Sequence, residues 1–295
     1  MRSIKWSLSI LCVVMLQACQ TNKSSNIAVQ GHRGDRGNWP ENSLEAFKSA
    51  VDKGVDVLEL DVVVNKYGDV IVSHEPFMHS KYVLLPNGES IEPENQRSWN
   101  IYNMRLESIQ TFDTGTKFHK DFPKQNKIST YKPSLEEVFL FLENEYGRKI
   151  FTSISFNIEL KSTPEDYGRY QPYPENMVGV FLELMDSHKY VRYNLQSFDV
   201  NILENVKLKN PSLPISYLVS DGSFESNLKK LNFMPDIYSP NFKLLMNELD
   251  VKNIQMHGVE VIPWTVNEEY DIQQLINWEV DGIISDYPER VLKLR

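Results

Sequence analysis

Three observations predict an α/β fold, a TIM-like (β/α)8 barrel. From residue 27 onward, short β-branched runs alternate with helical patterns, which is the mark of βαβ units and a parallel sheet. With one hairpin arm set aside, eight strand candidates begin near 27, 55, 153, 191, 215, 236, 259 and 282. Polar side chains gather where those runs end, as they do where barrel strands open on a common mouth. An open doubly wound sheet is the alternative, but the GxGxxG turn expected after its first strand is absent.

The chain starts with a segment that stands apart from this pattern. Arg2 and Lys5 precede residues 6–16, which are apolar except for Ser7 and Ser9. That stretch is shorter than the roughly 20 residues of a spanning helix and has the layout of a secretory signal. It ends in Leu16-Gln17-Ala18-Cys19, which resembles a bacterial lipobox, although Gln17 stands where a small residue is usual. The expectation is therefore a lipoprotein signal peptide over 1–18, lipidation of Cys19 and a polar tether over 19–26. The protein would then be exported and lipid-anchored to a bacterial membrane, facing the periplasm or the exterior. Gln20 is not the Asp that retains many Gram-negative lipoproteins at the inner membrane, which leaves the choice of membrane open. The only other cysteine, Cys12, lies inside the signal, so the folded part has neither thiol nor disulfide to offer.

The elements follow in order. Residues 27–31 suit a strand, and 42–53 a helix with Leu44, Phe47, Ala50 and Val51 on one face, Asn42 or Ser43 as its cap and Gly54 at its end. A long strand over 55–64 follows. Residues 62–64 and 70–72 are separated by only five residues, including Gly68. No crossover helix fits there, so the two runs must form an antiparallel hairpin. That hairpin folds His74 back toward Asp61. Residues 76–132 show weak periodicity, with scattered Pro, Gly and aromatic residues, and are too long for a plain loop. They predict an insertion or lid after the second-strand hairpin. A helix over 135–146 ends at Gly147, and strands are expected at 153–161, 191–197, 215–219, 236–239, 259–266 and 282–285. Helical patterns lie between most of them, near 174–189, 199–209, 223–231, 243–257 and 268–278.

Composition narrows the function. The 295 residues carry 31 basic and 40 acidic side chains, a net charge of -9. Hydrophobic residues make up 41%, which excludes a disordered chain. The acidic balance argues against nucleic acid as a partner, because that needs a basic face. An anionic substrate would have to be drawn by a local cluster of cations or a metal.

Such a cluster is visible at the strand ends. The first strand ends in His32-Arg33, the second carries Glu59 and Asp61, and the hairpin ends at His74. The third carries Glu159 and Lys161, the fourth ends in Gln196-Ser197, and the seventh holds Trp264. Alternate strand residues share a face, so Glu59 sides with Asp61 and Glu159 with Lys161. Carboxylates inside such apolar runs are costly unless they are paired or bound to metal. Glu59, Asp61 and Glu159 would make a hard oxygen cage for a divalent cation, Ca2+ or Mg2+. Arg33 and Lys161 could neutralise phosphate oxygens, and His32 and His74 could serve as general base and acid. The set predicts metal-assisted cleavage of a phosphate ester. The other histidines, His79, His119, His188 and His257, are expected on surfaces.

Ordered motifs sharpen this reading. Gly31-His32-Arg33-Gly34, Pro40-Glu41-Asn42-Ser43-Leu44-Glu45-Ala46-Phe47, Glu59-Leu60-Asp61-Val62 and Val72-Ser73-His74-Glu75 resemble the glycerophosphodiester phosphodiesterase family. So do Ile158-Glu159-Leu160-Lys161, Gln196-Ser197-Phe198-Asp199, Trp264-Thr265-Val266-Asn267 and Asp281-Gly282-Ile283-Ile284-Ser285-Asp286-Tyr287-Pro288, all in family order. The resemblance implies a TIM-like barrel with a small insertion after its second strand. It also implies hydrolysis of glycerophosphodiesters to glycerol 3-phosphate and an alcohol, through a cyclic phosphate formed by attack of a substrate hydroxyl. It makes Glu59, Asp61 and Glu159 metal ligands, His32 and His74 acid and base, Arg33 and Lys161 phosphate-binding, and Trp264 a wall on the glycerol side. Gln196 would stand behind the ligands, and Asn42 would cap the helix that follows it. Asp286 suits either a structural or a mouth position. Two departures touch no proposed catalytic group: Glu75 where Asp is commoner, and Ser43 where Thr is usual.

Two other functions fit the same chain. A barrel phospholipase acting on acylated (lyso)phospholipid or phosphoinositide would need an apolar rim. The insertion aromatics Phe77, Tyr82, Trp99, Tyr102, Phe112, Phe118 and Phe122 could supply it, or could instead form the insertion's own core. An inert binding lipoprotein would lack a catalytic residue, and none is missing. The sequence leaves the oligomeric state open.

Overall fold

The structure is a computed structural model and describes residues 27–295. The expected signal peptide, Cys19 and the tether lie outside the described residues. In chain order the barrel begins with β1 (Ala28–Gly31), α1 (Leu44–Lys53), β2 (Val57–Val64) and β3 (Val70–Val72). After the short α2 (Leu106–Ile109) come α3 (Leu135–Phe151), β4 (Ser155–Leu160), α4 (Pro174–Asp186), β5 (Arg192–Ser197) and α5 (Val200–Lys209). The second half holds β6 (Ile215–Val219), α6 (Phe224–Leu228), β7 (Ile237–Pro240), α7 (Glu248–Gln255), β8 (Glu260–Val261), α8 (Glu269–Asn277), β9 (Gly282–Ser285) and α9 (Pro288–Leu294).

Eight of these strands are parallel, in the spatial order β8-β7-β6-β5-β4-β2-β1-β9. Only β3 is antiparallel, paired to β2 with Val62 opposite Val72 and Val64 opposite Val70. The gap between β8 and β9 is spanned by three backbone bonds, Asp281 N–H to Val261 O, Ile284 N–H to Pro263 O and Val266 N–H to Ile284 O, at 2.9–3.0 Å. The result is a nearly closed barrel, as the strand count predicts.

The sequence expected eight residues of strand over 259–266, but regular ladder covers only Glu260–Val261. Pro263 has no N–H to give, so the chain leaves the ladder there and continues as an irregular edge. The helix predicted over 135–146 breaks at Gly147 (φ 74°, ψ 157°) and resumes for one more turn. The pattern over 243–257 yields regular helix only for α7. α9 was not anticipated; Pro288 opens it, and Val291 anchors it to the barrel.

The main core fills the space between the sheet and its helices, with Phe47, Phe139, Phe151, Phe156 and Phe181 fully enclosed. Each such ring removed from water contributes about 1.5–3 kcal/mol. The insertion has a separate small core of Met78, Tyr82, Val83, Ile91, Ile101, Ile109 and Phe112, seated on Val63 and Ile71 of the hairpin. Trp99 packs against it, Phe77 and Phe122 are buried nearby, and Phe118 is half exposed. The insertion aromatics therefore pack mostly inward and do not form an apolar rim.

Two expected surface histidines are buried. His119 lies between the rings of Tyr82 and Phe122. His188 packs against Phe139 and Tyr190 while its Nδ1 meets the Leu184 carbonyl at 3.1 Å. Both rings are flat apolar bodies with polar tips, and each finds aromatic faces that bury it. His257 is exposed and His79 half-buried.

Candidate active site

The site begins with a reversal of the chain after β1. Arg33 and Gly34 both take positive φ, 50° and 84°. A Cβ on Gly34 would lie 2.6 Å from the backbone carbon of Ala46, so only glycine lets the turn press against α1. The turn leaves His32 and Arg33 at the mouth and returns through Asn42 (φ 56°), whose N–H bonds the Arg33 carbonyl at 3.0 Å. Ser43 is the cap of α1, with its Oγ accepting from Ala46 N–H. Asn42, expected as a cap, instead donates its side-chain amide to Asp61 Oδ2 at 2.9 Å.

Strand register assembles the carboxylates. Asp61 on β2 lies opposite Glu159 on β4, and Glu159 lies opposite Gln196 on β5. One oxygen each from Glu59, Asp61 and Glu159 falls within 4.8 Å of the others. All three residues are buried. Glu59 accepts from Gln196 Nε2 at 2.7 Å and from Arg33 N–H at 2.8 Å. Lys161 Nζ sits 2.7 Å from Glu159 and 3.9 Å from Asp61. Arg33 donates to Glu41 at 2.8 Å; its Nε lies 3.1 Å from Asp61 without hydrogen-bond alignment.

Electrostatics divide the three. Burial, reinforced by Asp61 and Glu159, holds the Glu59 carboxyl well above the usual range. Burial also raises Glu159, against the pull of Lys161. Asp61 goes the other way: burial opposes ionisation, but Arg33, His74 and Lys161 overcome it and hold the carboxyl well below the usual range. Its Oδ1 is nevertheless buried without any hydrogen-bond partner. A bare carboxylate oxygen among two more carboxylates is what a cation site requires, and an all-oxygen set suits a hard divalent ion. These residues fit a metal.

The two histidines are held alike. His32 Nδ1 is 2.7 Å from Asp286 Oδ1, and His74 Nδ1 is 2.8 Å from Glu75 Oε1. Burial disfavours ionisation of both carboxyls, yet their partners, His32 for Asp286 and His74 for Glu75, bring them well below the usual range. Ionised carboxylates only accept, so each Nδ1 carries a proton and each Nε2 is the ring atom left to take or give one. His32 Nε2 lies 4.0 Å from Glu59. Burial lowers the His32 pKa, with Asp286 opposing and Arg33 and Arg36 assisting.

Both imidazoles face one cavity of about 360 Å³, shared with Glu59, Glu159, Arg33, Arg36, Lys161 and Gln196. Its other wall is apolar, made of Phe198, Leu218, Trp264 and Ile284. Trp264 is fixed by its Nε1–H to the Ser239 carbonyl and packs edge-on against Phe198. The structure thus brings together all nine site residues singled out within the described part of the sequence.

Several neighbours escaped the sequence reading. Arg36 reaches Glu41 at 2.7 Å and lies 3.7 Å from Asp286. Glu41, buried between the two arginines, is pulled down to about 2, because Arg33 and Arg36 outweigh the cost of burial. The role of Asp286 was open because its partner lies 254 positions away. Nothing local in the sequence marks Tyr82, whose hydroxyl donates to Glu75.

Comparison with known proteins agrees with the geometry. The profile of the Glycerophosphoryl diester phosphodiesterase family matches residues 32–290. A protein of Caldanaerobacter subterraneus subsp. tengcongensis named glycerophosphodiester phosphodiesterase is 31% identical over 266 residues, covering 90% of this chain and 96% of its own. A solved structure from Silicibacter pomeroyi DSS-3 superposes with a TM-score of 0.80 at 27% identity, covering 92% of this chain and 93% of its own. An Oleispira antarctica phosphodiesterase, solved in complex with the product sn-glycerol-3-phosphate, has the same fold, with a TM-score of 0.70 at 21% identity and coverage of 90% and 96%.

Proposed function

Because the chain belongs to the glycerophosphoryl diester phosphodiesterase family, we propose that this hydrolase converts glycerophosphodiesters to glycerol 3-phosphate and an alcohol by His32–His74 acid–base catalysis. The observation that carries the reading is the pair of carboxylate-held imidazoles facing one cavity beside an acidic triad and three cationic side chains, Arg33, Arg36 and Lys161. The solved Oleispira antarctica relative, with sn-glycerol-3-phosphate as its product, supports the choice of product.

Glu59, Asp61 and Glu159 would hold a divalent cation, Mg2+ or Ca2+, which when bound neutralises phosphate oxygens and draws charge from phosphorus. Arg33 and Lys161 add positive potential on the phosphate side of the cavity and restrain the ligands through their own ion pairs. Gln196 fixes Glu59. Trp264 and Phe198 shape the apolar side, against which the glycerol carbons rest. One histidine takes the proton of the glycerol 2-hydroxyl as that oxygen bonds to phosphorus. The other gives a proton to the departing head-group oxygen as its bond to phosphorus breaks. Water then opens the cyclic phosphate with the two proton roles reversed, leaving glycerol 3-phosphate.

The test uses glycerophosphocholine and its 2-deoxy analogue. Equimolar glycerol 3-phosphate and choline are expected from the first, and no turnover of the second. Phosphocholine and glycerol from the first would mean that the other ester bond is cut, and would overturn the assignment. Turnover of the analogue at the parent rate would remove the cyclic step.

A further inference from the structure

The insertion reaches the carboxylate behind His74 through the Tyr82 hydroxyl. Tyr82 is 7% exposed, with its ring in the insertion core against Met78, Val83 and Ile109. It is stacked with two imidazoles, His79 at 5.6 Å with planes 6° apart and His119 at 6.0 Å with planes 15° apart. Lys132, itself buried, places its ammonium 5.2 Å from the ring centroid. A hydroxyl in such surroundings costs free energy unless it is bonded, and the bond it makes is to Glu75 Oε2. The other oxygen of the same carboxylate accepts from His74 Nδ1 at 2.8 Å. Glu75 is thus fixed at both oxygens, and the ring pointing its hydroxyl cannot swing without dismantling a stack.

We propose that Tyr82 is a positioning residue for His74: the insertion core braces the second histidine through the chain Tyr82–Glu75–His74, setting the orientation of its imidazole toward the cavity. The inference rests on the reading of His74 as an acid–base group. It gives the insertion a part in turnover as a buttress rather than as a cover. The rigid ring stack supplies what a lone exposed carboxylate behind a histidine lacks, a fixed place from which to hold it.

The test is a double-mutant cycle on glycerophosphocholine at saturating divalent cation. Tyr82→Phe keeps the ring and its stack and removes one hydrogen bond to a charged group. It should lower kcat about tenfold with KM little changed. The same change should have no effect in a His74→Ala background, because the histidine it positions is gone. Glu75→Gln, which leaves the stack whole, should lower kcat at least as much as Tyr82→Phe. Wild-type kcat in Tyr82→Phe or in Glu75→Gln, with His74→Ala impaired, would overturn the positioning role alone. An equal loss from Tyr82→Phe in both backgrounds would show a structural effect and also overturn it. Wild-type turnover in His74→Ala would instead sink the acid–base reading, and this inference with it.

Discussion

His32→Ala should lower kcat on glycerophosphocholine by about 10²- to 10⁴-fold, the range for losing one general acid or base. The loss should fall on chemistry rather than on the fold. His32 stands at the mouth with 12% of its side chain exposed, outside the apolar core. Its partner Asp286 would not be stranded by the truncation, because Asn267 Nδ2 donates to Asp286 Oδ2 at 2.8 Å and Arg36 lies 3.7 Å away. The variant should therefore keep the far-ultraviolet circular dichroism and close to the melting temperature of the parent. A folded variant with wild-type kcat would exclude His32 from proton transfer.

Asp61→Asn should have an effect of similar size through a different cause. Asp61 is central to the triad and the member with an unpartnered oxygen. Asn keeps the shape and can still meet Asn42, but removes the charge a hard cation needs. A bound cation contributes several kcal/mol of transition-state stabilisation, so kcat/KM should drop by about 10³-fold. Calorimetric titration with Mg2+ or Ca2+ should show binding to the parent and none to the variant. Unchanged cation binding together with unchanged kcat/KM would show that the triad is not the metal site.

The barrel was legible because its strands are β-branched runs separated by helical periods, and periodicity is a local property. What the sequence hid depended on distance. The pairing of Asp286 with His32 joins the two ends of the barrel, and no window of residues contains both. Tyr82 looked like one more aromatic of a weakly patterned insertion, and only the folded core shows its hydroxyl turned toward Glu75. The burial of His119 and His188 follows from rings that come from other segments. Asn42 was one of two expected caps, with Ser43, because both residue types are common before a helix. Its neighbour Ser43 takes that place, and the positive φ of Asn42 aims its amide at Asp61. By contrast, the alternation of Glu59 with Asp61 on β2 followed from the period of a strand alone, which is why the acidic triad could be read without coordinates.

The central claim is a phosphodiester cleavage that depends on the Glu59–Asp61–Glu159 cation site. It is tested most directly by glycerol 3-phosphate release from glycerophosphocholine, using protein stripped with a chelator and then replenished with Mg2+ or Ca2+. Release should disappear on stripping and return with one of the two ions. Release that continues undiminished in the stripped protein, with chelator still present, would contradict the account.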